Sequence, residues 1–463
     1  MPRAPHGESA SIDNLASTAA VAIGKSLTAD SDVPTPVSPG TRTSGNPARP
    51  CAFGPTDRGR SNRQRSTMLS VSPRAAEVRA FAPPKPADRV QYVDAIRVWA
   101  IGLVFLAHVA EVFNPWDEWH ITNAERSRAA GEIAVFVAPW VMPIIMLLAG
   151  VSAWYSLRHR SNGVYLRDRA VRLLIPLVVG TLLLVPPQVY LERRLRGQFH
   201  GSFIAFFPRF FHGIYPNGNL SWHHLWFLAH LFLYSVIALP LFRYLQRADG
   251  GGGRITWLAR VGAANGGILW LAIPLVIERN VMWGLFPERH MLTSDWSNHA
   301  LLFVAYVYGV VLAGSPQLGC VIDRQWKAAL AVALLGTAAL TTGTWIGVLP
   351  ARLPPRYAFG YLAFWTLYAL CAWAWMVAVL GAGRRWLDHD GVVLRYGRRV
   401  GYALYVMHQP VIVAVAFVVV QWQQPLGVKF TTILLASAAG TILGGELLVR
   451  LPIVRLAFGS RKA

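Results

Sequence analysis

Two ionisable residues stand inside an apolar stretch where such groups are costly. In DAIRVWAIGLVFLAHVAEVFNPWDEWHITN (residues 94–123), Arg97 and His108 are separated by ten residues. A helix would place them on nearly one face and about 16 Å apart. A guanidinium fork suits phosphate oxygens. An imidazole suits a general base or an acyl-carrying nucleophile. Glu111 lies one turn beyond His108, where it could hold the ring in one tautomer, so His108 and Glu111 form the expected catalytic pair. Asp94 stands in the same relation to Arg97. Arg169 and Arg172, in RAVR, share a helix face and with Arg97 make an expected anion-binding set. Trp116, Asp117, Trp119 and His120 follow the first apolar stretch. His224 and Trp226 lie in SWHHLWFLAHLFLY, and Tyr405 and His408 lie in GYALYVMHQP. These eight are expected to line an acceptor site or cavity. The plainer alternatives are topological charge for the arginines, interfacial anchoring for the tryptophans and ordinary packing for the histidines.

The elements that carry these residues are membrane helices. Of 463 residues, 54% are hydrophobic and only 14% charged, with 18 tryptophans. Long apolar stretches recur from about residue 93 to 449, as in one polytopic domain. The net charge of +21 is scattered over short loops, a membrane-topology pattern and not a nucleic-acid footprint. Cys51, Cys320 and Cys371 are too few and too dispersed for a disulfide framework or a metal site. No Walker A motif, HExxH or complete GxSxG occurs. Gly250 to Gly253 read as a flexible connector. No metal and no permanently bound cofactor is expected.

Residues 1–90, rich in Ser, Pro, Gly and Arg, are expected to form a disordered cytoplasmic tail, with Met68 as an alternative translation start. Residues 91–455 form the membrane domain, and 456–463 a short basic cytoplasmic tail. About ten spans are expected, near 93–113, 133–157, 171–190, 223–243, 262–279, 299–314, 326–348, 357–381, 400–421 and 429–449. The fifth and sixth are the shortest. Basic residues cluster before the first span, between the second and third, after the fourth, and between the eighth and ninth. That side is then cytoplasmic, with both termini on it. Residues 191–222 read as an extracytoplasmic loop in spite of Arg193, Arg194, Arg196 and Arg209. Arg97 falls near the cytoplasmic mouth and His108 toward the outer half.

The spacing of Arg97 and His108 resembles the first-helix signature of the acyltransferase-3 family of membrane acyltransferases. Arg169 and Arg172 match its RxxR. AGVSAWYSLR at 149–158, HLWFLAHLFLY at 224–234 and GYALYVMHQP at 401–410 are similar to further family segments in family order. PWDEWHITN and LSWHHLWFL narrow the likeness to the glucan biosynthesis protein C group, which succinylates osmoregulated periplasmic glucans. The resemblance covers about 90–450. It implies an all-α fold of about ten transmembrane helices in the cell (inner) membrane. It also implies an acyl-coenzyme A donor (succinyl or acetyl) and a hydroxyl of an extracytoplasmic glucan or other saccharide as acceptor. Donor phosphates would meet Arg97, Arg169 and Arg172, and His108 would act as base or acyl carrier. The rival reading is a saccharide or lipid exporter without covalent chemistry, although no repeat relates the two halves.

Overall fold

Apolar runs longer than eighteen residues leave the backbone one solution in a hydrocarbon layer, the helix, whose hydrogen bonds all close within the segment. A computed structural model describes residues 90–247, 252–286, 291–345 and 357–450. The expected tails, with Met68 and residues 456–463, lie outside the described residues. Among the described residues fifteen α-helices follow one another: α1 Gln91–Glu111, α2 Arg128–Arg158, α3 Asn162–Leu183, α4 Val185–Leu195, α5 Phe203–Phe206, α6 Trp226–Ile237, α7 Leu239–Gln246, α8 Gly252–Ala263, α9 Gly267–Trp270, α10 Ile273–Val281, α11 Trp296–Gly314, α12 Pro316–Trp345, α13 Phe359–Trp386, α14 Val392–Val419 and α15 Leu426–Arg450. Among the described residues there is no strand, only an isolated bridge between Ile214 and Leu220. Serines open three helices: Ser127, Ser161 and Ser202 accept from Ala130, Val164 and Ala205 N–H, satisfying donors that a helix start leaves unpaired.

The chain is a polytopic membrane helix bundle. Among the described residues, eight helices are long and apolar enough to cross a membrane, or nine spans if α6 and α7, bent by 51°, act as one. Among these residues, single helices do not make up the expected ten. The discrepancy lies at the fifth span, 262–279. Gly266 adopts φ +72° there, and a Cβ on Gly267 would lie 2.2 Å from the Val261 carbonyl oxygen. The helix must break at this point, and Pro274 then opens a new one, so α8, α9 and α10 are separate pieces. They still carry the chain between the two ends of the bundle. Arg243, on the helix before them, bonds Leu157 O and Arg160 O. After them Val281 O accepts from Tyr357, which precedes α13.

The two ends differ in chemistry. At the Arg97 end, Arg398 donates to Asp94 at 3.1 Å, Arg384 to Asp323 at 2.7 Å and Arg160 to Asp168 at 2.6 Å. Arg399 and Arg450 share Glu446, so Gln91 and Arg450 lie at this same end. At the His108 end, Lys429 Nζ donates to Asn123 Oδ1 at 3.1 Å and Arg126 to Asn114 O at 2.7 Å, which holds the 112–127 loop against α14 and α15. Residues 191–222 were expected to be loop from the start. Instead α4 runs to Leu195, and Arg193 donates to Asn219, Gln198, Pro216 and Gly218. Arg193 at this end thus satisfies loop oxygens.

At the centre α2 packs against α11. A Cβ on Gly150 would sit 2.0 Å from Tyr306 O, and one on Gly309 1.8 Å from Leu147 O. In an apolar solvent, where helix association depends on packing, such close backbone approach is what small residues supply. Gly309→Leu is expected to destabilise by more than about 3 kcal/mol because neither backbone can retreat. Gly102→Ala, with open space around it, should be neutral or slightly stabilising. Thermal unfolding in detergent checks the contrast.

Candidate active site

A single continuous helix, α1, carries both key side chains, Arg97 in its second turn and His108 in its last. Burial of a guanidinium is tolerable only with partners in place. Arg97 has three: Asp94 Oδ1 at 2.9 Å, Ser152 Oγ at 3.0 Å and Leu148 O at 3.3 Å. The expected Asp94–Arg97 pair is present, and α2 supplies the other two oxygens. Arg169 lies within electrostatic reach of Arg97, its guanidinium 5.2 Å from the Tyr165 ring centroid. Tyr165 and Tyr306 join hydroxyls at 3.1 Å, continued by Ser235 at 3.3 Å. Arg172 faces Asp168 at 3.6 Å, and its carbonyl accepts Tyr402 at 3.1 Å, which fixes α3 against α14. Arg97 and Arg169 thus share one end of the bundle, and Arg172 sits one turn along α3.

A cleft of about 1080 Å³ opens at this end, lined by Arg158, Arg243, Arg247 and Trp154 among others. It faces a different side of α2 from Ser152. These arginines looked like ordinary loop charge in the sequence, and only the packing of α2 with α7 and α11 shows that they border a space.

His108 lies at the other end. Its Nδ1 is 2.7 Å from Val104 O, so Nδ1–H donates to the backbone and Nε2 is the basic nitrogen of the neutral ring. Glu111 was expected to set this tautomer. The i−4 carbonyl does so instead, because it lies directly below the ring on the same helix, and Glu111 takes the Asn114 amide at 2.8 Å. The His108 ring meets His408 edge-on at 5.0 Å and Trp119 at 5.8 Å. His408 in turn meets His224 at 5.2 Å. Nδ1 of His408 lies 2.5 Å from Tyr405 O, and Nε2 of His224 lies 3.0 Å from Val406 O. Tyr405 donates to His224 O at 2.6 Å. Three imidazoles from α1, α14 and the turn before α6 therefore adjoin one another.

A second group continues from Trp119. His120 is 5.2 Å from the indole, 4.1 Å from His223 and 6.0 Å from Tyr215. Its Nδ1 lies 2.9 Å from Glu192 Oε2, and that carboxylate is fully buried. Glu192 also accepts Tyr215 at 3.2 Å and faces Arg196 at 3.2 Å. Burial, with the Glu192 charge beside it, raises the Tyr215 phenol above its usual range, so it stays a donor. His223 holds φ +42°, a strained conformation for a side-chain-bearing residue that costs roughly 1–3 kcal/mol. Ser221 Oγ steadies it by accepting its N–H at 3.0 Å. One ligand atom each from His120, Glu192 and His223 lies within 4.8 Å of the others, a grouping that could hold a metal ion.

The structure brings together His108, His408, His224, Tyr405, Trp119 and His120. It does not bring the remaining candidates to them. Trp116 is buried, and a Cβ on Gly131 would lie 2.7 Å from its ring; it packs in the core at the start of α2. Asp117 turns its carboxylate onto the Glu118 N–H at 2.8 Å. Trp226 packs on His230 at 5.0 Å, and His230 stacks on His299 at 4.5 Å, a separate buried group. Glu192 and Tyr215 were not expected as site residues; His223, beside His224 in SWHHLWFLAHLFLY, was a weaker candidate. Glu192 is the one acid in the basic run LERRLR, the only local signal it gives.

A family model described as an acyltransferase domain matches residues 90–450. The chain is similar to glucans biosynthesis protein C of Escherichia coli O6:K15:H31 (strain 536 / UPEC), 24% identical over 167 residues. It is also similar to the protein of that name in Escherichia coli (strain K12), 23% identical over 167 residues. Each match covers 35% of this chain and 41% of the relative, so the matched stretch spans less than half of those proteins.

The two tryptophans of the 112–127 loop should separate experimentally. Trp116→Ala is expected to cost about 3–5 kcal/mol of stability. Trp119→Ala should cost only about 1 kcal/mol, the worth of its ring contacts. Melting curves of the purified variants test this.

Proposed function

This chain belongs to the acyltransferase family, and on that premise we propose that it moves an acyl group, succinyl or acetyl, from acyl-coenzyme A to a saccharide hydroxyl. The acceptor is a glucan or another extracytoplasmic saccharide, and the membrane is the inner one. One observation carries the reading: a single unbroken helix holds Arg97 among cationic groups at one end of the bundle and His108 among imidazoles at the other. Coenzyme A is a polyphosphate on a long arm. Its phosphates suit Arg97, Arg169 and Arg172, and the arm suits the roughly 16 Å of helix between Arg97 and His108. The basic end then faces the cytoplasm, as the positive-inside rule requires.

At His108, Nδ1–H is committed to Val104 O, which directs Nε2 at the reacting groups. As a general base, Nε2 takes the hydroxyl proton while the sugar oxygen attacks the thioester carbonyl. The carbon–sulfur bond breaks, and the thiolate leaves and is protonated. As a carrier, Nε2 first takes the acyl group and releases the thiol, and the sugar oxygen then takes the acyl group from nitrogen. The succinyl-to-glucan version draws on the likeness to the E. coli glucans biosynthesis proteins C.

His108→Ala should lower acyl transfer by about 10²–10⁴-fold, the worth of a positioned base, while the protein still inserts and folds. Near wild-type transfer would refute the assignment. Arg97→Ala and Arg172→Ala should weaken acyl-coenzyme A binding by about 1.5–3 kcal/mol each, as charged hydrogen-bond partners are lost. Equilibrium binding of labelled donor measures this, and unchanged affinity would remove these arginines from the donor site.

A further inference from the structure

We propose that His120, held by Glu192, is a second catalytic imidazole that receives the proton of the acceptor hydroxyl, with His223 binding the same saccharide. This rests on the acyl-transfer reading and deepens it.

The two imidazoles flanking Trp119 are held differently. His108 gives its Nδ1–H to a neutral carbonyl, Val104 O. His120 gives its Nδ1–H to a fully buried carboxylate at 2.9 Å. An imidazole backed by a carboxylate is oriented in one tautomer, and the imidazolium formed when it takes a proton is stabilised. Glu192 therefore orients the His120 ring and makes Nε2 its accepting nitrogen.

The surroundings keep Glu192 in place for this task. Arg196 pairs with its Oε1 at 3.2 Å and also donates to Trp119 O at 3.1 Å. One guanidinium thus fixes the carboxylate and the loop that carries His120. Tyr215 donates to the same Oε1. Both carboxylate oxygens are already engaged and a cation is already beside them. The spacing of His120, Glu192 and His223 could admit a divalent ion, but the group is more completely satisfied as a carboxylate–imidazole dyad.

His223 supplies the recognition. Its Nε2 is buried and has no hydrogen-bond partner among the described residues, and its ring lies edge-to-face with His120 at 4.1 Å. A saccharide hydroxyl reaching His120 Nε2 would satisfy that nitrogen. Trp119 adjoins both rings, 5.2 Å from His120 and 5.8 Å from His108, and offers an apolar face on which a sugar ring stacks.

With His108 as carrier, the acyl half of the reaction balances. The acceptor oxygen bonds to the acyl carbon, the bond from that carbon to His108 Nε2 breaks with its electron pair returning to nitrogen, and the hydroxyl proton passes to His120 Nε2.

The test uses the full chain in proteoliposomes, with labelled succinyl-coenzyme A or acetyl-coenzyme A and a glucan oligosaccharide. His120→Gln should cut the transfer rate about 10²-fold or more with donor affinity unchanged. Glu192→Gln should lose at least about tenfold and Glu192→Asp recover most of it, since Asp keeps the charge that orients the ring. Chelator should leave the wild-type rate unchanged. A His120→Gln enzyme within about threefold of wild type, equal losses for Glu192→Asp and Glu192→Gln, or stoichiometric metal whose removal stops transfer would each overturn the assignment. A wild-type chain that loads no donor and transfers no label would overturn the acyl-transfer reading, and this assignment with it.

Discussion

An arginine and a histidine can be carried through an apolar layer only if the protein supplies each with a partner that water would otherwise provide. The bundle is built around that constraint. Asp94, Ser152 and Leu148 O surround Arg97, and Val104 O holds His108. Two of the three oxygens for Arg97 come from α2, which can stand close to its neighbours because Gly150 and Gly309 let it meet α11 backbone to backbone. Fixing α2 fixes α1, and fixing α1 places a cation and an imidazole at opposite ends of one rigid rod.

The ends are specialised by the way their charges are met. At the Arg97 end, carboxylates are shared among arginines on different helices, as Asp94 is between Arg97 and Arg398 and Glu446 between Arg399 and Arg450. That end has more guanidinium than carboxylate and suits an anionic molecule. At the His108 end the charges are inward-facing and matched, Glu192 with Arg196 and His120, Lys429 with Asn123 and Val420 O. What remains there is a surface of imidazoles and aromatic rings, suited to a neutral, hydroxylated molecule. The proposed transfer across the bilayer needs that asymmetry.

Much of this was legible in the sequence because hydrophobic length and isolated charges are local signals. Nine of the expected spans correspond to helices or to the bent α6–α7 pair, and the Asp94–Arg97 relation followed from helical spacing alone. The fifth span misled because its composition is apolar while Gly266 and Pro274 break its backbone. Glu111 misled for a related reason: spacing places it near His108, but the carbonyl one turn back is nearer the ring nitrogen. Trp116 and Trp119 look alike in sequence, and only the packing of Gly131 against the first shows which is core. Glu192 and the meeting of His223 with His120 were out of reach of any spacing rule, since 72 and 103 residues of chain separate these groups from His120.

The central claim is that donor and acceptor meet this rod from opposite sides of the membrane. Sealed proteoliposomes holding the purified chain, with a glucan oligosaccharide trapped inside and labelled acyl-coenzyme A added only outside, test it directly. Protein inserted with the Arg97 end outward should place label on the trapped oligosaccharide while the vesicles remain sealed. Label appearing only when donor and acceptor share one compartment would contradict transfer along α1.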